Sequence, residues 1–348
     1  MKVLYAIQGT GNGHLTRAME IVPLLKKRKK IALDVLVSGT ENELKLPFDV
    51  KYKFNGLSFV FGKRGGVDFW NTYRKMHSLR LMNEIKSLPA DKYDLIISDF
   101  EPVSAWAAQM AKKPCIGLSN QAATLHPLAP KPKKTDIFGK MLLQHYAPTT
   151  YNYGLHFKSL DQYVYTPIIR KQLRDMEVKN KGYYTVYLPS YSDERIIKFL
   201  KHYKDIDWVV FSKKSKKKYR EKNIYVKPLD PQFFMECMAE SSGILTNAGF
   251  GTTSEALFLK KKLLVVPMKS QYEQHCNAAM LKSMGVPVIK KLKKKNREKF
   301  KEWINDKSIV RVNYPNITDD ILETIIENHA GKSLENTIAE NAPYTIFQ

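Results

Sequence analysis

The stretch Asn247-Ala248-Gly249-Phe250-Gly251-Thr252-Thr253-Ser254-Glu255 sets two glycines and two threonines between an apolar run, Gly243 to Thr246, and a helix-forming segment. Glycines let backbone approach a ligand closely, and a helix N-terminus presents free N–H groups at the positive end of its dipole. Gly249, Gly251, Thr252 and Thr253 together therefore suit a diphosphate, with the threonine hydroxyls as extra donors. Thr252 and Glu255 also have the spacing of a capping box, which needs no ligand. A second glycine cluster, Gly9-Thr10-Gly11-Asn12-Gly13, runs into His14. An imidazole takes up a proton near neutral pH and needs a partner to fix its tautomer. Asp99, directly after the apolar run Leu95-Ile96-Ile97-Ser98, is the candidate partner; the alternative is an N-cap to the helix that follows Glu101. The G-x-G-x-x-G dinucleotide fingerprint is not matched, because position 14 is histidine and Asp34 begins its strand. Asp205-Ile206-Asp207 spells a metal-holding D-x-D triplet but leads straight into Trp208-Val209-Val210, and is expected to be a loop. His126, His145 and His275 lack metal-ligand spacing, so no metal is expected.

Two similar scaffolds are needed to position these residues. The first begins with a strand at Val3–Ile7, a turn from Gly9 to Gly13 and a helix from about Leu15 to Lys30. Strands at Ala32–Val37 and Asp94–Ser98 follow, with a helix after Glu101 carrying Val103, Trp106, Ala107 and Met110. The pattern weakens between Tyr146 and Pro167, where the interlobe connection is expected. A second series starts at Tyr183–Leu188, turns through Pro189 to Ser192 and enters a helix at Asp193. Its further strands fit Trp208–Phe211, Ile224–Val226, Gly243–Thr246 and Leu263–Val266. Short apolar strands alternating with helices predict parallel sheets covered on both faces, with ligands beyond the carboxyl ends of the strands. The fold class is thus α/β, with two doubly wound Rossmann-like lobes facing across a cleft. The expected divisions are an N-terminal lobe over 1–160, a C-terminal lobe over 166–316, and a C-terminal helix and tail over 317–348. A helix near Asp319–Asn328 is expected to cross back to the first lobe.

A chain of 348 residues with 43 % hydrophobic content can build two cores. Three scattered cysteines exclude a disulfide framework and point to a reducing, cytoplasmic compartment. The opening MKVLYAIQ is too short an apolar run for a secretory signal, and no stretch approaches the roughly 20 apolar residues of a membrane span. The net charge of +23 is divided evenly: 24 basic against 13 acidic residues up to Tyr165, and 33 against 21 beyond it. An anionic membrane surface, nucleic acid or a polyanionic substrate could each use such charge, as could a solvated lysine coat. No aromatic-plus-basic RNA motif accompanies it, so nucleic acid is not an expected partner. Phe69-Trp70-Asn71-Thr72-Tyr73-Arg74-Lys75 mixes aromatics with cations, a composition suited to a membrane interface.

Pro231-Gln232, Thr246 to Glu255, Val265-Val266-Pro267 and Glu273-Gln274 with Asn277 resemble, in order and spacing, a glycosyltransferase donor-binding signature. The signature belongs to GT-B enzymes of two related groups: the UDP-glucuronosyltransferases with the plant glycoside-forming enzymes, and the N-acetylglucosaminyltransferase that forms lipid II. The resemblance implies that Gly249, Thr252 and Thr253 hold the donor diphosphate, with Gly251 in the same loop and Ser190 adding a contact by analogy. It assigns Glu255 to the ribose hydroxyls, and Glu273 and Gln274 to the sugar hydroxyls. Asn247 departs from the family histidine, and Leu229 from the plant tryptophan that stacks on the base. The first glycine loop resembles the N-terminal turn of the same enzymes. It implies that His14, leaning on Asp99, deprotonates the acceptor, with Gly11, Asn12, Gly13 and Trp70 on the acceptor side.

The implied activity is metal-independent, inverting transfer of a sugar from a nucleoside diphosphate donor, taken as UDP-linked, to a hydroxyl acceptor that is lipid or lipid-linked. The nucleotide sugar is a co-substrate, and no cofactor is expected. The expected location is the cytoplasm, peripheral on the inner face of the membrane. Two alternatives remain open. One is a nucleotide-sugar 2-epimerase on the same fold, although the His-Arg-Arg-Glu-Asn type of segment expected of it is missing. The other is a non-catalytic sugar-nucleotide-binding or basic surface-binding protein.

Overall fold

The computed structural model describes residues 1–39, 46–57, 79–133 and 136–330. The first lobe comprises β1 (Lys2–Gln8), α1 (Asn12–Lys27), β2 (Ala32–Ser38), β3 (Tyr52–Phe54), α2 (Leu79–Ser87), β4 (Leu95–Asp99) and α3 (Pro102–Met110). It continues through β5 (Cys115–Ser119), α4 (Asn120–Leu125), α5 (Ile137–Tyr146), β6 (Tyr151–Leu155) and β7 (Val164–Tyr165). The seven strands lie in the order β3-β2-β1-β4-β5-β6-β7, all parallel. Val3, Tyr5 and Ile7 point into one core and Leu4 and Ala6 into another. That division explains why β1 is an unbroken apolar run, since a sheet packed on both faces has no polar side.

The second lobe follows α6 (Lys171–Arg174). It contains β8 (Tyr184–Tyr187), α7 (Asp193–Leu200), β9 (Trp208–Ser212), β10 (Tyr219–Glu221), β11 (Ile224–Pro228), α8 (Pro231–Glu240) and β12 (Gly243–Thr246). Next come α9 (Phe250–Phe258), β13 (Lys262–Val265), α10 (Tyr272–Ser283), α11 (Arg297–Asn305) and α12 (Thr318–His329). The sheet order is β10-β11-β9-β8-β12-β13, parallel except for the β10–β11 pair. Strand order reverses beside β1 in the first sheet and beside β8 in the second. The two crevices where ligands bind in such sheets are therefore β1/β4 and β8/β12.

Two sequence expectations change. The segment Tyr146–Pro167 is not simply a connection, because β6 and β7 complete the first sheet there; every residue of Tyr151–Leu155 is buried. Its Tyr, Asn and Gly content hides the strand, yet Gly154 is needed because a Cβ would lie 2.8 Å from that of Ala123. The first helix also begins at Asn12 rather than about Leu15, so His14 belongs to its first turn.

Helix α12 packs on α1 of the first lobe. Arg28 pairs with Asp319 at 2.7 Å, and the Tyr153 hydroxyl meets His329 Nε2 at 2.9 Å. Ile321, Leu322 and Ile325 are fully buried there, each contributing about 1.5–3 kcal/mol of transfer free energy. The chain thus crosses between the sheets twice, and the crossings are tied together. Arg174 on the outward crossing donates to the carbonyls of Tyr314 at 2.9 Å and Pro315 at 3.1 Å on the return.

Candidate active site

At the first crevice, β1 leads into α1 and β4 ends at Asp99. His14 Nδ1 lies 2.8 Å from Asp99 Oδ1, although the residues are 85 positions apart. Arg17, one turn beyond His14 on α1, grips the same carboxylate. Its Nε donates to Oδ2 at 2.8 Å and its Nη2 to Oδ1 at 2.5 Å. Burial alone would push the Asp99 carboxyl up, but the adjoining Arg17 charge, with the hydrogen bonds from Arg17 and His14, outweighs it and holds the group below its ordinary value. Burial likewise disfavours the Arg17 cation, and the Asp99 charge reverses that effect. Asp99 does not cap the following helix: Glu101 does, accepting from the amides of Val103 at 2.8 Å and Ser104 at 2.6 Å. His14 Nε2 bonds to no described residue.

At the second crevice, Ser190 after β8 donates to Asn247 Oδ1 after β12 at 3.1 Å, and Asn247 donates to the Val266 carbonyl at 2.6 Å. Gly249 is the N-cap of α9 and supplies no side chain to it. The capping-box alternative fails, since Thr252 lies inside the helix and no side chain caps its N-terminus. Glu255 is instead held by Arg170 in a two-pronged pair, Nε to Oε1 at 2.6 Å and Nη2 to Oε2 at 2.7 Å. Thr253 is turned into the helix. It is fully buried, and its hydroxyl donates to the Gly249 carbonyl at 2.6 Å. Gln274 is 6 % exposed, and its Oε1 accepts from the Met268 amide at 2.9 Å and so braces the loop after β13. Glu273 remains in the cleft, half-buried, receiving Gln121 Nε2 of the first lobe at 3.0 Å and Asn277 Nδ2 at 3.4 Å. Burial raises its carboxyl above the ordinary range, partly offset by His14, Gln121 and Arg17.

The two crevices meet. A Cβ built on Gly251 would lie 3.9 Å from the Gly13 Cα, so the first turns of α1 and α9 confront each other. Neither helix has a side-chain cap. Gly11 precedes α1 at φ 93°, a conformation that requires glycine. Gly13 and Gly249 have no such need, and a Cβ on either would meet nothing within 4 Å. Asn12 opens α1 beside them, partly exposed. Trp70 lies outside the described residues. Arg17, Arg170 and Gln121 escape the sequence reading. Only Arg17 carried a signal, its three-residue spacing from His14 on an expected helix. Among the described residues, no cluster of His, Cys, Asp or Glu could hold a metal.

No curated protein matches the chain significantly. Solved structures do match over nearly the whole chain. The Staphylococcus aureus MnaA–UDP structure is 14 % identical with a TM-score of 0.59, covering 99 % of both chains. MurG of Acinetobacter baumannii is 15 % identical at 0.57, covering 94 % of this chain and 99 % of its own. Phytolacca americana UGT2, complexed with UDP-2fluoro-glucose and pterostilbene, is 15 % identical at 0.55, covering 97 % and 91 %. These likenesses concern the fold, two Rossmann-like lobes of the GT-B kind. The sequence itself fits the family model for glycosyl transferase family 1 over residues 1–306, a span that holds both crevices and every residue discussed around them. The chain belongs to that family and is a glycosyltransferase.

Proposed function

We propose that the enzyme moves a sugar from a UDP-linked donor to a hydroxyl acceptor in one inverting displacement that uses no metal. The observation that carries this reading is the confrontation of two uncapped helix N-termini, α1 and α9, at Gly13 and Gly251. Two positive dipole ends repel one another unless an anion lies between them, and a diphosphate has the charge and acceptor oxygens to fill that role. His14 Nε2 takes the acceptor proton as the acceptor oxygen attacks the anomeric carbon. The bond to the diphosphate breaks, and the charge that departs is met by the amides of Gly251 and Thr252 and the Thr252 hydroxyl. Glu255 receives the ribose hydroxyls after releasing Arg170, and Glu273 faces the sugar. UDP is favoured as the carrier because three of the matched structures contain UDP or a UDP-sugar, against one with dTDP.

Calorimetry with UDP, dTDP, GDP and ADP, in the presence of a metal chelator, tests the donor site. UDP is expected to bind best and chelation to change nothing. Absence of binding by every nucleotide at millimolar concentration would overturn the reading. Proton NMR of the first product then reads the anomeric configuration, which must be opposite to that of the donor.

A lipid or lipid-linked acceptor at an anionic membrane surface is the acceptor reading. It is supported by the +23 charge and by four exposed apolar side chains near the start of α5: Leu128, Ile137, Phe138 and Met141. No described helix is long and apolar enough to cross a membrane. The buried, unpaired Cys115, Cys237 and Cys276 suit a reducing cytoplasm. The protein should sediment with anionic vesicles and be released by high salt; indifference to vesicle charge would sink the idea.

A further inference from the structure

His14 and Arg17 share one carboxylate. Asp99 Oδ1 lies 2.8 Å from His14 Nδ1 and 2.5 Å from Arg17 Nη2, and the same Nη2 is 3.1 Å from Nδ1. This geometry has three consequences. The carboxylate cannot turn without breaking one prong of the guanidinium fork, so Oδ1 stays aimed at Nδ1. The guanidinium also cancels much of the charge with which Asp99 would stabilise an imidazolium, and it repels that imidazolium directly. Lastly, Nδ1 can donate to Asp99 or accept from Arg17, but not both. Only the first choice leaves a lone pair on Nε2, the atom that must take a proton. Because the charged Asp99 oxygen lies nearer to Nδ1, at 2.8 Å, than Nη2 does, at 3.1 Å, that first choice is favoured.

We propose that Arg17 is the positioning residue of the base: by sharing Asp99 it disfavours the His14 imidazolium and keeps the ring proton on Nδ1, with Nε2 bare. The inference rests on the reading of His14 as the base, but it makes a claim about the imidazole alone. The other groups that face this cluster are few. Glu273 of α10 approaches from the second lobe and would favour the imidazolium if ionised. Tyr5 of β1 is buried beside Asp99, and burial pushes its hydroxyl well above its ordinary value, so it stays neutral. The Phe100 ring, 6.5 Å from that of His14, carries no charge.

The test is an NMR titration of the full chain with nitrogen-labelled histidine, using His14→Gln to identify the resonance. Arg17→Met should raise the His14 pKa by about one unit, a tenfold gain in proton affinity. The double variant Arg17→Met/Asp99→Asn removes both charges and should return the value to near that of the wild type. Arg17→Lys keeps the charge without the fork. It should leave the pKa nearly unchanged while nitrogen shifts reveal a mixture of tautomers, and it serves if Arg17→Met does not fold. A His14 that titrates at the wild-type pH in Arg17→Met, or a single tautomer in Arg17→Lys, would overturn the proposal. The acid limb of kcat/KM should follow the titration in each variant. A protein that transfers no sugar but shows these shifts would refute the proposed reaction and spare Arg17's role; the reverse result would do the opposite.

Discussion

In the first lobe, His14, Asp99 and Arg17 hold one another in a closed set, and no described residue bonds the second ring nitrogen of His14. In the second, Glu255, Thr253 and Gln274 are held by groups that a ligand must replace or leave in place. Arg170 grips Glu255, while the carbonyl of Gly249 and the amide of Met268 have already taken Thr253 and Gln274. The difference follows from what each site has to do. A base must be in register before the acceptor arrives, because catalysis depends on geometry set in advance. A binding site must keep its buried polar groups satisfied while empty, so that the closed cleft is not penalised. On the proposed reaction, the first lobe is assembled for chemistry and the second is arranged for exchange.

This contrast can be broken at either end. His14→Ala should lower kcat by about 10²–10⁴-fold, the usual worth of a general base, with UDP affinity in calorimetry little changed. Asp99→Ala should also cost about 3–5 kcal/mol in urea unfolding, because it leaves the Arg17 cation buried without a partner. An Asp99→Ala protein of wild-type stability would mean that the set is not closed. In the second lobe, Glu255→Ala should weaken UDP by about 10- to 100-fold, the value of hydrogen bonds to a charged group. Arg170→Met should do the reverse and tighten UDP by about 2- to 10-fold, since Glu255 no longer has to release a partner. If Arg170→Met weakens UDP, Arg170 touches the nucleotide itself and the exchange account is wrong.

A pH experiment addresses the seam between the lobes. His156 is fully buried, with its ring centroid 5.3 Å from Phe157 and 6.5 Å from Phe250 of α9. Burial, with smaller contributions from Lys131 and His126, pushes its imidazole down to about 3. Between that value and the ordinary 6.5 the unfolded chain binds a proton that the folded chain refuses. Stability is therefore lost as pH falls through this window, by about 2 kcal/mol from pH 7 to pH 5. His156→Leu should flatten the melting temperature over that range. The smallest effect is expected at Thr253→Val, which should change UDP affinity less than about twofold and cost about 1 kcal/mol of stability. Thr252→Val, by comparison, should weaken UDP.

Much of the framework can be read from the chain, because a strand buried on both faces has to be a continuous apolar run. Val3–Ile7 and Gly243–Thr246 announce themselves in this way, and the residues that follow them define the crevices. Asp99 and His14 could be paired from sequence because each stands at the carboxyl end of a strand flanking the same reversal of order. The strand Tyr151–Leu155 was hidden because its close packing against Ala123 demands glycine where most strands carry a branched side chain. Arg170 and Gln121 were illegible for a different reason. Their partners lie 85 and 152 residues away, and no local pattern encodes either contact. The state of Thr253 depended on a single detail, the start of α9 at Phe250, which points that hydroxyl back along the helix.

The paired interlobe crossings, stitched by Arg174 to the carbonyls of Tyr314 and Pro315, have a mechanical meaning. One tether would let the halves swivel and slide in any direction. Two tethers fastened side by side behave like a door on adjacent pins, and they leave chiefly one angle free. The separation of Gly13 from Gly251, and the distance from Gln121 to Glu273, then become readings of that same angle. If the proposed donor enters by opening this cleft, the second contact must part with the first, and a single distance label across the cleft would report both.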